Sequence, residues 1–565
     1  MSDASGGQSG DTGPSEVLAS ESAPQGAASD GSSDGSSGGS SASAIERAPH
    51  AYEGRARWLA AVAAVLLAAL MLPGPDDFPL DDAWIHLAYA KSLRLGDGPS
   101  YNPGDWELGA SSPLWMALLA AWPISGAPVR AVQLLGLLLH GLTAWIAAHL
   151  GLDLARRRAS AEHPAPVLSL ALLAGVLVAC TPTLVQASTS GMEVSLTAAL
   201  TLAVAWACLG GHSAAAAATG LLVVWARPEA LGFVLALAGV LVPWRWRSGQ
   251  RGPLLHAPLL AAAGAGLALL AWMLYCRGVA GQWWPNAQAI KGSGGGLEGL
   301  AYLSEQVLPW QPWLVSLTGV GLVALALGRD LGRDGSPRRP ELWALVLAGV
   351  ATWIAIALSR PLDPSLGFYQ SRYFAPFAGV FAVVLPFGLP RARWLALALM
   401  LPVAVVSGLQ VHALHGQAQA QRADTHQLHT ALARYVAEHL PRDARVAVEG
   451  AGAPRFFAPR SMTIIDLVGL NDHQAARRHF DRTAKLCHFV RRAPTHMAIP
   501  LHWVPLYAPV FRLRPIARFD DPLYTQVDPP RPLTVALFEV EAIHPQWVER
   551  CRARAPAPDA TGLLP

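Results

Sequence analysis

Two adjacent carboxylates, Asp81 and Asp82 in Leu80-Asp81-Asp82-Ala83-Trp84-Ile85, follow directly on the first membrane-length apolar run. Paired carboxylates beside a bilayer are costly to hold ionised, which marks them as a functional site unless something simpler accounts for them. Helix capping accounts for one, because Asp82 can accept the free N–H groups of a helix that begins at Ala83. Asp81 is then left as the expected general base, a carboxylate placed to take a proton from a hydroxyl nucleophile. The two aspartates can exchange these roles without changing the chemistry. Two cations, Lys291 and Arg372, fall where the charge pattern puts the outer membrane surface. Lysine and arginine are the usual partners of phosphate, so an anionic ligand is expected there, with lipid head groups as the simpler alternative.

The elements that must position these groups are mostly apolar. Charged residues make up 14% of the 565 residues and hydrophobic ones 52%, against about 25% charged in ordinary soluble domains. The chain therefore reads as a polytopic α-helical membrane protein with soluble parts. The net charge of +3 is small, and no nucleic-acid partner is expected. Residues 1–50 are mainly Ser, Gly, Ala and Asp, too poor in large apolar side chains to build a core, and are expected to be disordered. They lack the basic start and apolar middle of a signal peptide.

Apolar runs of bilayer length fall at 57–74, 129–151, 166–186, 193–210, 213–228, 229–244, 254–276, 312–328, 341–358, 373–389 and 394–412. With about eleven spans, the arginine clusters at 55/57, 156–158, 245–251, 329–339 and 391/393 share one side, which the positive-inside rule makes the cytoplasm. The N-terminus is then cytoplasmic. The first loop, 75–128, and residues 413–565 face the outer, periplasmic side of a cell inner membrane. Residues 113–123 are expected to lie at the outer interface rather than to cross. A membrane domain over 55–412 precedes a small α/β domain over 413–565, with strands at 444–448, 461–468 and 534–540 and a polar helix at 417–440. Gly450 and Gly452 read as a turn, and Asp466, Asn471 and Asp472 fit either loop chemistry or glycan contact. Among the five cysteines, Cys487 and Cys551 can pair if that domain is exported, and none has metal-ligand spacing.

Taken in order, the motifs resemble a family. Leu80–Ile85, Tyr101-Asn102-Pro103-Gly104 with Glu107, and Ser112-Pro113-Leu114-Trp115 are similar to the first outer loop of membrane glycosyltransferases of the GT-C fold. They are most similar to the group that includes the mycobacterial terminal arabinofuranosyltransferase. Ser190-Gly191-Met192-Glu193, Ala226-Arg227-Pro228-Glu229, Pro285-Asn286 with Lys291, Ser371-Arg372-Tyr373 and Ile465–Asp472 continue the likeness over residues 55–475. The chain departs from the family at Met192, often leucine there, and at Ala287-Gln288-Ala289, often aromatic.

The resemblance implies a GT-C glycosyltransferase, hexosyl or pentosyl, in cell-envelope biogenesis. Its donor would be a polyprenyl-phosphate-linked sugar and its acceptor a glycan or lipid, at an active site on the outer membrane face. Asp81 or Asp82 would be the catalytic base, and Lys291 and Arg372 would hold the lipid phosphate. His86, Glu107, Glu193, Arg227, Asn286 and Tyr373 complete the candidate substrate site. No cofactor is expected; the acidic pair could bind a metal, but nothing in the chemistry demands one. A lipid-linked sugar transporter or flippase would instead predict internal repeats and charges near the bilayer midplane. A glycan-binding scaffold would leave Asp81-Asp82 without a role.

Overall fold

Proline opens several of the helices in the computed structural model: Pro113–Ala121, Pro182–Thr189 and Pro253–Ala280 all start on it. At the first helical position its missing N–H costs nothing and its fixed φ is already helical. The structure describes residues 40–124, 126–158, 167–291, 296–316, 319–329, 340–360, 362, 370–390 and 392–554, the side chains of 40–53, 291 and 393 excepted.

Among these residues five helices are long and apolar enough to cross a membrane: Pro128–Arg158, Ala230–Arg247, Pro253–Ala280, Glu341–Ser359 and the stretch Trp394–His439. Val167–Ala179 and Pro182–Thr189 form a pair bent by 55°, where Pro182 interrupts the hydrogen-bond ladder. Four shorter apolar helices are Val194–Gly210, Ser213–Ala226, Gly319–Gly328 and Ala375–Gly388. The expected count of eleven is reached only by adding the bent pair, these four and the helix Ser40–Leu70. That last helix begins inside the stretch expected to be disordered, so residues 40–50 are helical; residues 1–39 lie outside the described residues.

Small residues let the helices approach closely, as is usual where bilayer tails offer no hydrophobic drive between them. A Cβ on Gly220 would stand 2.3 Å from the Ala261 carbonyl oxygen, and one on Gly264 would stand 2.3 Å from that of Ala217. Arg245, grouped with the cytoplasmic arginines by sequence, is buried. It donates to the carbonyls of Cys208 (2.9 Å) and Leu209 (3.2 Å), the free acceptors at the end of Val194–Gly210.

The first loop carries the helix Asp82–Arg94, a hairpin of β1 (Ser100–Asn102) and β2 (Asp105–Trp106), and the helix Pro113–Ala121. At nine residues, the last is too short to span a bilayer.

Helix Arg393–Asp424 runs unbroken through residue 413 into a π-helical turn, Thr425–Thr430, and the helix Ala431–His439. The last apolar run and the expected polar helix are thus one rod. Beyond it stands a five-stranded mixed sheet. Its strands are β3 (Arg445–Val448), β4 (Thr463–Asp466), β5 (His496–Pro500), β6 (Phe511–Tyr524) and β7 (Arg531–Ile543), in the order β4-β3-β5-β7-β6. β3 is parallel to β4 and β5, and β7 is antiparallel to β5 and β6. Three strands match the expected ones and two, β5 and β6, were not foreseen. β6 contains Pro515 and Pro522 and is rich in charge, which only an edge strand tolerates. Cys487 and Cys551 form a disulfide that ties Arg482–Arg492 to Pro545–Ala553.

The sheet domain and the first loop are sewn together by polar contacts. Asn102 donates to the Ile464 carbonyl (3.0 Å) and accepts from the Ile464 amide (2.9 Å), adding itself to the β4 edge. The Tyr101 hydroxyl donates to the Ala451 carbonyl at 2.6 Å.

Candidate functional site

Asp81 and Asp82 sit at the start of Asp82–Arg94 with carboxylates that serve different neighbours. Asp81 occupies the cap position without a side-chain bond to its own helix. Its oxygens accept from the backbone amides of Gly452 and Ala453, both at 2.8 Å, at the start of Gly452–Phe457. Gly452 is obligatory there, since a Cβ would lie 2.2 Å from the Asp81 carbonyl oxygen. Burial pushes the Asp81 carboxyl above its ordinary range, against the opposing pull of His429 and the two amides.

Asp82 lies within the first helical turn and does not cap it, contrary to the sequence expectation. Its Oδ2 instead accepts from Arg372 Nη2 at 2.7 Å. Capping chemistry is therefore present, but Asp81 performs it for a helix some 370 residues away.

Asp82 and Arg372 stand in the wall of a cavity of about 650 Å³. His86, Glu193, Arg227 and Tyr373, all anticipated from sequence, line the same cavity, and so do Glu229 and Arg360. Glu193 is held between two partners, His86 Nε2 and Arg227 Nη1, each 3.4 Å from one of its oxygens. Arg227 also donates to the Arg372 carbonyl at 3.0 Å and lies 3.6 Å from Glu229. Glu229 pairs in turn with Arg360. All three guanidinium groups gather on the Tyr373 ring, Arg360 at 4.1 Å, Arg227 at 4.8 Å and Arg372 at 5.5 Å from its centroid. Three carboxylates offset three arginines in a largely desolvated wall, which fixes the guanidinium groups around the Tyr373 ring.

Sequence reasoning missed Arg360 and gave Glu229 no role beyond its motif. A signal for Arg360 was present: like Arg372, it is an arginine at the outer end of an apolar run.

Glu107 and Asn286 come together, but beside the cavity rather than in its lining. Glu107 accepts from the His473 amide (2.9 Å) and from Asn286 Nδ2 (3.3 Å), while its other oxygen meets His473 Nδ1 at 2.9 Å. Asn286 also donates to the Leu470 carbonyl (3.1 Å) and accepts from Gln282 (2.9 Å). With their hydrogen-bonding capacity spent on neighbours, the two join the first loop, the sheet domain and the 282–286 turn, a role sequence did not indicate. Lys291 ends the helix Asn286–Lys291, and its side chain lies outside the described residues. Asp466 is a loop staple, accepting from the amides of Val468 (2.8 Å), Gly469 (2.9 Å) and Asn471 (2.8 Å). Asp472 caps His473–Arg477 and pairs with His488 at 2.7 Å. Among the described residues no group of three or more His, Cys, Asp or Glu is placed to hold a metal ion.

Comparison with solved structures finds ArnT from Cupriavidus metallidurans in two states. The form bound to undecaprenyl phosphate aligns with a TM-score of 0.53 and 14% identity, over 85% of this chain and 97% of that one. The apo form gives 0.51 and 13% over the same shares. A family model described as a domain of unknown function (DUF8728) matches residues 413–530. No curated protein matches the chain. At this identity the likeness is one of fold: a multi-pass helical membrane protein of the GT-C type, without support for the narrower resemblance to the mycobacterial arabinofuranosyltransferase group.

Proposed function

We propose that the chain is a glycosyltransferase that moves a sugar from a polyprenyl-phosphate-linked donor to a glycan or lipid acceptor of the cell envelope. The reaction would take place on the outer face of the inner membrane, with the N-terminus inside and the sheet domain outside. The observation that carries this reading is the Asp82–Arg372 pair in the wall of the arginine-lined cavity. The ArnT neighbour was solved with undecaprenyl phosphate, a ligand of the same kind as the lipid phosphate proposed here. The paired cysteines fit an oxidising outer compartment.

In this reading Asp82, rather than Asp81, is the base, because Asp81 is already committed to two amides. The acceptor hydroxyl gives its proton to Asp82 as its oxygen bonds to the anomeric carbon. The bond from that carbon to the phosphate oxygen breaks with its electron pair, and polyprenyl phosphate leaves. Arg372, Arg227 and Arg360 stabilise the growing phosphate charge, and Lys291 is proposed to join them. Arg372 also orients Asp82. Glu193 and Glu229 keep the arginines extended toward the cavity.

The reading is tested with purified protein given labelled polyprenyl-phosphate sugars and envelope acceptor. Transfer is expected from at least one donor. Bound lipid phosphate with no transfer to any acceptor would shift the assignment to a lipid-linked sugar carrier. No binding of lipid phosphate at all would overturn it.

A further inference from the structure

Asp82, Ile85 and Leu470 line not one cavity but two. The second, of about 320 Å³, lies between the start of Asp82–Arg94 and the sheet domain, walled by Asp81, His429, Glu449, Asp466, Tyr524 and Gln526. Among the described residues no lysine or arginine lines it, in contrast to the first. Two of its carboxylates are already committed, Asp81 to the Gly452 and Ala453 amides and Asp466 to its own loop.

Two groups make no side-chain hydrogen bond among the described residues. His429 is 8% exposed and its ring makes no hydrogen bond among the described residues, although it interacts electrostatically with Asp81 and Glu449. It projects from the π-helical turn Thr425–Thr430, a distortion that interrupts regular helices mainly at functional sites. Gly450 makes room for the ring, since a Cβ there would stand 2.0 Å from His429 Nδ1. The half-buried Glu449 carboxylate likewise makes no side-chain hydrogen bond among the described residues; desolvation raises its pKa, against the opposing pull of His429. Hydrogen-bonding groups that the fold leaves open toward a cavity are available to a ligand there.

We propose that this second cavity is the acceptor subsite and takes an uncharged, hydroxyl-bearing sugar, with His429 and Glu449 hydrogen-bonding neighbouring hydroxyls. The proposal rests on Asp82 being the base, because it brings acceptor and donor to that carboxylate from opposite sides. A carboxylate beside an imidazole matches a pair of hydroxyls, each of which donates and accepts. With carboxylates in the cavity wall and no lysine or arginine among the described lining residues, a phosphorylated or carboxylated acceptor would be repelled.

Saturation-transfer NMR on the full-length protein in detergent tests this without relying on turnover. The probes are methyl glycosides of hexoses and pentoses, methyl glucoside 6-phosphate, and undecaprenyl phosphate. At least one neutral glycoside should bind and the phosphate ester should not. His429→Ala or Glu449→Gln should weaken that binding about tenfold, the effect of one charge-assisted hydrogen bond, and His429→Gln should recover part of it. Unchanged thermal midpoints and unchanged undecaprenyl phosphate binding would show that the variants are folded. Glycoside binding indifferent to both residues, or no neutral glycoside bound, overturns the acceptor site. Failure of undecaprenyl phosphate to bind overturns the donor reading alone.

Discussion

Arg372 Nη2 donates to Asp82 Oδ2 at 2.7 Å, joining two side chains 290 residues apart at the wall of the larger cavity. Each is mostly shielded from solvent, at 11% and 28% exposure, so the contact is stronger than a surface ion pair. Arg372→Ala should reduce donor affinity about tenfold or more, the effect of one charged phosphate contact. In a double-mutant cycle with Asp82→Asn, a coupling of about 0.5–3 kcal/mol is expected for residues in direct contact. Strict additivity in transfer rate would show that the pair does not act as a unit.

Asp81 should behave differently from its neighbour. Asp81→Asn leaves one amide of the Gly452–Ala453 pair facing a side-chain NH₂ group, so a loss of about 1–3 kcal/mol in stability is expected. Thermal unfolding of the purified variant reads this directly. A normal melting temperature with abolished turnover would return Asp81 to the role of base.

Gly452→Ala tests the same seat from the opposite side. The new methyl would meet the Asp81 carbonyl oxygen at 2.2 Å and its Oδ1 at 2.9 Å. Overpacking of this kind costs about 1–3 kcal/mol. Limited proteolysis should release the sheet domain faster than in the parent, although no cavity-lining residue of the donor side has changed.

The sheet domain should depend on its disulfide. The Cys487–Cys551 link closes a sequence separation of 64 residues, and replacing both by serine should cost about 2–5 kcal/mol. Thermal melts of oxidised, reduced and double-serine protein should place the last two together and well below the first.

The sequence revealed more of the site's chemistry than of its assembly. Charge at the outer ends of apolar runs led to Asp82, Glu193 and Arg372, because ionisable groups there are costly enough to need a reason, while Arg227 came from the family resemblance. Arg360 followed the same rule and was overlooked. The roles of Asp81, Glu107 and Asn286 were not legible, because they depend on partners such as Gly452, His473 and Leu470, brought close only by the folded chain. Strand β6 was hidden by its prolines and charges, which an edge position permits. The bend at Pro182 and the π-helical turn at Thr425–Thr430 break the periodicity on which helix reading relies.

The central claim is that Asp82 removes the acceptor proton. Single-turnover transfer from a polyprenyl-phosphate sugar, measured with purified Asp82→Asn and the parent, tests it most directly. The substitution keeps size and one acceptor oxygen but lacks a proton-accepting carboxylate. The rate should fall on the order of 10²–10⁴-fold, with the melting temperature and lipid-phosphate binding close to those of the parent. An Asp82→Asn enzyme that transfers sugar at the parent rate would contradict the account.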